Sequence, residues 1–177
     1  MNEYTKFDLG SEIFSWIKTI IYAVISALFI THVVIVNAEV PSGSMENTIM
    51  TDDRIVAFRQ AYLFDEPQRY DIVVFRYPDD EKTLFVKRII GLPGETVEIR
   101  NGLVYVNNDP VPLDDEYTKE EMNGDFGPFI VPEESYFMLG DNRNNSKDSR
   151  YWVNKYVERD KILGKVIFRY YPGFKKY

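Results

Sequence analysis

The sequence predicts a mostly β protein, an antiparallel β-sheet domain carried on one N-terminal transmembrane helix. Three observations lead there. A single uninterrupted apolar run occupies residues 19–36. Behind it, seven short runs rich in Val, Ile, Phe and Tyr alternate with Gly, Pro, Asn and Asp, the pattern of strands and turns. Beyond the apolar run the helical period is weak, and only 114–123 offers a short helical turn. The 177 residues thus divide into an N-terminal segment at 1–18, an anchor at 19–36 and a β-rich domain at 37–177.

The anchor reads TIIYAVISALFITHVVIV and carries no formal charge when His32 is neutral. Its 18 residues make a helix of roughly 27 Å, close to the ~30 Å hydrocarbon core of a bilayer. Trp16 stands at its entrance as an interfacial aromatic, and Lys18 can snorkel toward headgroups. A cleaved leader would carry a shorter apolar stretch and a small-x-small exit, whereas this run leaves through Asn37-Ala38-Glu39. A buried core helix would show one apolar stripe, and this run is apolar nearly all round. Lys6 and Lys18 stand against Glu3, Asp8 and Glu12, so charge gives little guide to orientation.

The expected strands are Arg54–Phe58, 71–77, 83–90, Thr96–Arg100, 103–107, Ser135–Leu139 and Ile162–Tyr171. Asn101-Gly102 joins two of them as a two-residue hairpin turn, because both residues tolerate positive φ. Gly91-Leu92-Pro93-Gly94 reads as a tight turn. The stretch 114–125 holds six acidic residues and one lysine and reads as a solvated insertion loop. It lacks the regular oxygen spacing of a calcium loop.

Composition removes whole classes of chemistry. The 21 basic and 28 acidic residues give a net charge of −7, the wrong sign for a nucleic-acid partner. There is no cysteine, hence no disulfide, no thiolate nucleophile and no Cys-ligated metal. The one histidine, His32, lies inside the anchor, which argues against Ser–His chemistry and a multi-His metal site. No metal and no cofactor is expected.

A nucleophile would then be Ser or Thr, and a desolvated lysine can serve as its base. The serine search points to Val40-Pro41-Ser42-Gly43-Ser44-Met45. The glycine permits a sharp turn that exposes Ser44 together with its N–H, and Ser42 adds a hydroxyl beside it. Two such donors aimed at one point form an oxyanion hole. The same segment also reads as an ordinary linker. Among the lysines, Lys87 lies in Leu84-Phe85-Val86-Lys87-Arg88-Ile89-Ile90. Strand alternation puts Phe85, Lys87 and Ile89 on one face, and Val86, Arg88 and Ile90 on the other. Apolar neighbours on its own face lower a lysine pKa. A snorkelling sheet-edge lysine is the other reading, and Lys165 is the rival base. The polar run 140–150 reads either as a solvated loop or as support for the site. In the second case Ser146 orients an amine and Asp148 pairs with Arg150.

Together these segments resemble the type I signal peptidases, membrane-anchored Ser–Lys endopeptidases that remove secretory signal peptides, in their small single-anchor bacterial form. The matching stretches are Pro41-Ser42-Gly43-Ser44-Met45, Asp71-Ile72-Val73-Val74-Phe75, Val86 through Glu95, Gly140-Asp141-Asn142-Arg143 through Ser149-Arg150, and Gly164-Lys165. The resemblance implies Ser44 as nucleophile, Lys87 as general base, Ser42 with the Ser44 N–H as oxyanion donors, and Ser146 as the residue that holds the lysine amine. It implies supporting roles for Asp141, Asn145, Asp148 and Arg150. It also implies pocket walls for small side chains from Val40, Pro41, Met45, Phe85 and Val86, and places Lys165 in a structural strand. The implied partners are signal peptides of secreted preproteins and the lipid bilayer, with no nucleic acid. The implied location is the cell membrane, single-pass, with 1–18 cytoplasmic and the peptidase domain 37–177 extracytoplasmic.

The chain departs from the family pattern at four places. Asn47 stands where proline is usual, and Asp52, Tyr70 and Val153 stand where glycine is common. None of them is a proposed catalytic group; each bears on local turn geometry. A self-cleaving Ser–Lys regulator is disfavoured by the anchor and the acidic charge, and a Ser–His signal peptidase by the place of His32. A non-catalytic anchored β domain that binds envelope partners would need neither Ser44 nor Lys87 in these settings.

Overall fold

The computed structural model describes residues 9–177, in two units that divide between Val34 and Ile35. The first is helix α1 (Leu9–Phe29), continued by a π-helical turn at Ile30–Val34. Its 26 residues extend about 39 Å at the α-helical rise, long enough to cross a bilayer. None of its described side chains is buried. His32 Nδ1 lies 3.1 Å from the Leu28 carbonyl oxygen, so the sole imidazole is engaged within its own helix. Of the N-terminal segment expected at 1–18, residues 1–8 lie outside the described residues, and the rest is already helical. The helical segment ends at Val34, and the last two residues of the expected anchor are in a strand. Ile35 and Val36 pair with Phe58 and Ala57 as the start of a strand. Apolar residues continue across that junction without a break, so hydropathy alone could not mark it.

The second unit contains β1 (Ile35–Glu39), β2 (Arg54–Phe58), β3 (Ile72–Arg76), β4 (Leu84–Gly91), β5 (Thr96–Arg100) and β6 (Leu103–Val106). It continues with β7 (Phe126–Ile130), β8 (Ser135–Leu139), β9 (Tyr156–Glu158), β10 (Ile162–Tyr171) and β11 (Lys175–Lys176). Every ladder is antiparallel. The larger sheet runs β1-β2-β10-β3-β4-β8-β9 with β11 on β10, and the smaller runs β6-β5-β7. The mostly β, antiparallel class predicted from the sequence is the class observed. All seven expected strands form. The four unforeseen ones have local reasons: β1 looked like anchor, β7 contains Gly127-Pro128, and β9 and β11 are very short. The stretch 114–123 forms turns and bends rather than a helix.

Central β3 shows why the strands stack as they do. Its run Ile72-Val73-Val74-Phe75 is apolar on both faces, and both are buried. Ile72 and Val74 join a cluster with Val36, Met45, Ile49 and Ile55. Val73 and Phe75 join another with Ile89, Tyr136, Met138 and Trp152. A third cluster joins Val97, Ile99 and Val104 of the smaller sheet to Phe137 and Leu139 of the larger. Asp52 and Tyr70, two positions where the family pattern favours glycine, have φ of 66° and 73°. These are left-handed conformations that glycine enters without a Cβ penalty. The Tyr70 conformation is held by its carbonyl, which accepts the Arg88 Nη1–H at 2.9 Å, and by its ring against Tyr117.

Trp152, 1% exposed, packs against Phe75, Tyr77 and Phe85. Trp152→Ala is expected to lower unfolding free energy by about 3–5 kcal/mol. The check is the urea midpoint of the detergent-solubilised chain, and a shift below about 1 kcal/mol would count against this core assignment.

Candidate active site

Ser44 sits in a 3₁₀ turn, Gly43–Met45, just after β1. The strand exit is pinned to the returning chain by hydrogen bonds from Val40 N–H to Asp53 O and from Asp52 N–H to Val40 O. Met45 and Ile49, both without exposed surface, plug the turn into the core. Ser44 is therefore held by apolar residues that follow it. Lys87 comes from β4, where its register partner is Val73 and Phe85 opposes Phe75. The alternation read from the sequence thus places Lys87 on the apolar face.

The two side chains meet. Lys87 Nζ lies 2.7 Å from Ser44 Oγ and 3.0 Å from the Val86 carbonyl oxygen. Ser42 Oγ donates to Ser44 Oγ at 3.3 Å. Lys87 is only 4% exposed. Burial pulls its pKa down to about 8, against the opposing pull of Asp148 and Asp141. Removing water disfavours an ammonium and leaves the neutral amine comparatively unharmed. Lys165, the rival, faces Asp71 at 2.6 Å with its side chain 41% exposed. Its recorded contact is with that carboxylate and not with a serine hydroxyl.

The third contributor is the loop 140–150. Asp141 receives the Arg88 guanidinium at 2.8 and 2.6 Å and the Thr48 hydroxyl. Asp148 receives Arg150 at 2.8 Å on each oxygen and the Gly140 N–H at 3.1 Å. Asn142 N–H donates to Ser44 O at 3.1 Å, and its Nδ2–H to Gly43 O at 2.9 Å. Ser146 Oγ is buried with no hydrogen-bond partner among the described residues, so the hydrogen bond expected from it to the lysine amine is absent. The Val86 carbonyl occupies that role in its place. Asn145 is exposed and lines the cleft beside Lys147.

That cleft is a cavity of about 420 Å³ between residues 38–42 and 83–87, with Ser44 and Lys87 in its wall. Val40, Pro41, Phe85 and Val86 line it. Met45 does not, because the turn rotates its side chain inward to Val36, Ile55 and Val74.

Sequence reasoning missed several supporting groups. Arg88, on the face opposite Lys87, carries the pair with Asp141 and lies 4.0 Å over the Tyr117 ring. Arg143, 2% exposed, forks onto Asp115 at 2.6 and 2.8 Å and reaches Tyr117 Oη at 3.1 Å. The acidic stretch is thus partly anchored to the site and not simply solvated. A hint was available: an arginine sent by alternation into a sheet interior needs an acidic partner.

A hydroxyl against a lysine amine that is easily neutralised, beside a second hydroxyl and an open cleft, can perform acyl transfer. A family model for signal peptidase, peptidase S26, matches residues 13–171.

The chain belongs to this family.

It is 42% identical to the probable signal peptidase I-2 of a Synechocystis species, over 88% of this chain and 72% of that one. It is 35% identical to the signal peptidase I of Bacillus licheniformis, over 97% of this chain and 96% of that one. A solved signal peptidase I from Enterococcus faecalis aligns with a TM-score of 0.49 at 37% identity, covering 57% of this chain and 97% of that chain. Membership of the S26 family makes the chain a peptide hydrolase.

Gly140, in the loop 140–150, lies against the serine turn. A Cβ there would collide with Ser146 Oγ and the Ser44 carbonyl oxygen. Gly140→Ala is expected to lower peptidase activity by about tenfold or more, since small displacements of a reacting group are costly. The measurement is turnover of a peptide substrate beside the near-UV circular dichroism of the variant. Parent-like turnover would show that this close approach is not needed.

Proposed function

We propose that the chain is a membrane-anchored serine endopeptidase that cleaves N-terminal signal peptides from secreted preproteins after small residues, with Ser44 and Lys87 as its dyad. The observation that carries the reading is the 2.7 Å contact of Lys87 Nζ with Ser44 Oγ, between two residues that are both buried. Relatives named signal peptidase I support the substrate class. Helix α1 with Ile30–Val34 is proposed as the single-pass anchor in the cell membrane, with the β unit on the extracytoplasmic side.

Neutral Lys87 takes the Ser44 hydroxyl proton as Oγ attacks the scissile carbonyl carbon. Ser42 Oγ–H and the Ser44 N–H receive the developing oxyanion. The protonated lysine then donates to the leaving amine, and the acyl-enzyme forms. Lys87, neutral again, deprotonates a water that hydrolyses the ester and frees Ser44.

The substrate is proposed to bind extended. Residues 84–87 of β4 pair with β3 on one side, while β8 joins β4 only from Arg88 onward. A peptide entering the cleft adds main-chain hydrogen bonds to that open side. Val40, Pro41, Phe85 and Val86 offer apolar walls for small side chains. Asp141, Asp148 and Arg150 hold the loop that packs on the dyad, while Ser146 and Asn145 complete its inner and outer surfaces.

The test is cleavage of a preprotein with a small-x-small site by the full chain in detergent micelles. Ser44→Ala, Lys87→Ala and Lys87→Arg are each expected to lose about 10³-fold or more in kcat. Guanidinium does not lose its proton near neutrality, so turnover by Lys87→Arg would remove Lys87 as base.

The pH dependence follows from burial. With a pKa of about 8, Lys87 is about one-tenth neutral at pH 7 and nine-tenths neutral at pH 9. Because the neutral form is the base, kcat/KM is expected to rise with pH, half-maximal near 8. A profile that is level from pH 6 to 9, roughly a thousandfold range of proton activity, would sink the assignment.

A further inference from the structure

Asn142 has no role in the mechanism above, yet it is 2% exposed and grips the serine turn twice. Its Nδ2–H donates to the Gly43 carbonyl oxygen at 2.9 Å, and its own N–H to the Ser44 carbonyl oxygen at 3.1 Å. These two carbonyls belong to the two peptide units that flank the Ser44 Cα. The Gly43 carbonyl shares a planar trans peptide with the Ser44 N–H, so the direction of one dictates the direction of the other. Among the described residues one further donor, the Glu46 N–H at 3.2 Å, is recorded on the Gly43 carbonyl. Gly43 has no Cβ of its own to resist rotation of this unit. An exterior clamp is therefore needed to hold it, and the loop 140–150 supplies one.

The geometry points to Asn142 as a positioning residue that orients the Gly43–Ser44 peptide, so that the Ser44 N–H faces the oxyanion formed in the cleft. This rests on the reading of Ser44 as nucleophile. Asn142 touches neither Ser44 Oγ nor Lys87 Nζ by any recorded hydrogen bond. Its loss should spare the proton transfer and the ground-state grip on the peptide. It should weaken only what the oxyanion receives, which is a transition-state interaction.

The experiment uses the full chain in micelles, with Asn142→Ala and Asn142→Asp beside Ser44→Ala. Asn142→Asp keeps the size and the backbone N–H contact, removes the side-chain donor and adds a carboxylate charge, whereas Asn142→Ala removes the donor without adding charge. Expected for both is a kcat lower by about ten- to a hundredfold, less than the 10²–10³ typical of a direct oxyanion donor. KM should stay at the parent value in both, and in Asn142→Ala, which adds no charge, the pH midpoint of kcat/KM should stay there too. Two peptides of the same sequence then separate positioning from general damage. A peptide aldehyde adds Ser44 Oγ to its carbonyl carbon and places the resulting oxygen in the oxyanion site, so its affinity should fall in step with kcat. A peptide with a reduced CH₂–NH bond at the cleavage point has no such oxygen, so its affinity should not change. Loss of affinity for both peptides alike would assign Asn142 to cleft shape and overturn the proposal. Parent-like kcat in both variants would overturn it too, as would unfolding of both by circular dichroism. The Ser44→Ala control separates the two readings. If it is inert while the Asn142 variants turn over normally, only the role of Asn142 falls. If it cleaves, the reading of Ser44 falls and this one with it.

Discussion

A lysine that reaches a serine hydroxyl at 2.7 Å while only 4% of its surface meets solvent is the constraint around which the β unit is arranged. Taking an ammonium out of water costs several kcal/mol unless a counter-charge replaces the solvent. No ion pair to Lys87 is recorded among the described residues. The easier outcome is a lowered pKa, and the fold sets that outcome by exclusion of water. Val73 and Phe75 of β3 lie along one side, the Phe85 ring stands 5.3 Å from the amine, and the serine turn closes over it.

The acidic groups nearby make this arrangement subtle. Asp148 and Asp141 both pull the lysine toward its charged form. Each carboxylate is nonetheless already committed to a guanidinium, Asp148 to Arg150 and Asp141 to Arg88. The guanidinium beside each carboxylate offsets part of its field, and desolvation remains the largest influence on Lys87. Buried pairs of this kind contribute little net stability compared with apolar packing, but they tolerate few geometries. Here they hold the loop 140–150 against β4 on one side and the serine turn on the other. Arg143 extends the same device to Asp115, which ties down an acidic segment that would otherwise be free.

The departures from the family pattern follow the same physical logic. A glycine at positions 52 and 70 would enter the left-handed region without a Cβ. Aspartate enters it at modest cost, being among the residues most often found there. Tyr70 is held there by contacts made across the domain, to Arg88 and Tyr117. Asn47 follows a cis peptide bond, and Val153, 87% exposed, leaves its side chain in solvent. Among the described residues, no hydrogen bond from any of the four to Ser44 or Lys87 is recorded.

Much of this was legible in the order of residues. The apolar run, the alternation in each of seven strands, the turn at Asn101-Gly102 and the face on which Lys87 stands are all set by near neighbours. Periods of 2 and 3.6 report them directly. The lack of cysteine and of a histidine outside the apolar run had also made lysine a candidate base. What this left open was which partner each side chain would find. Lys87 and Lys165 both sit in apolar strands, and only the β10–β3 register brought Asp71 to Lys165 and left Lys87 without a carboxylate. Met45 turned inward, Ser146 lost its expected bond, and Asp115 found Arg143. The junction at Ile35 appeared only when β2 paired with it. The decisive partners are far apart in the chain, 28 positions for Asp115 and Arg143. A local pattern states which face a side chain takes; sheet register and close packing decide what waits on the other side.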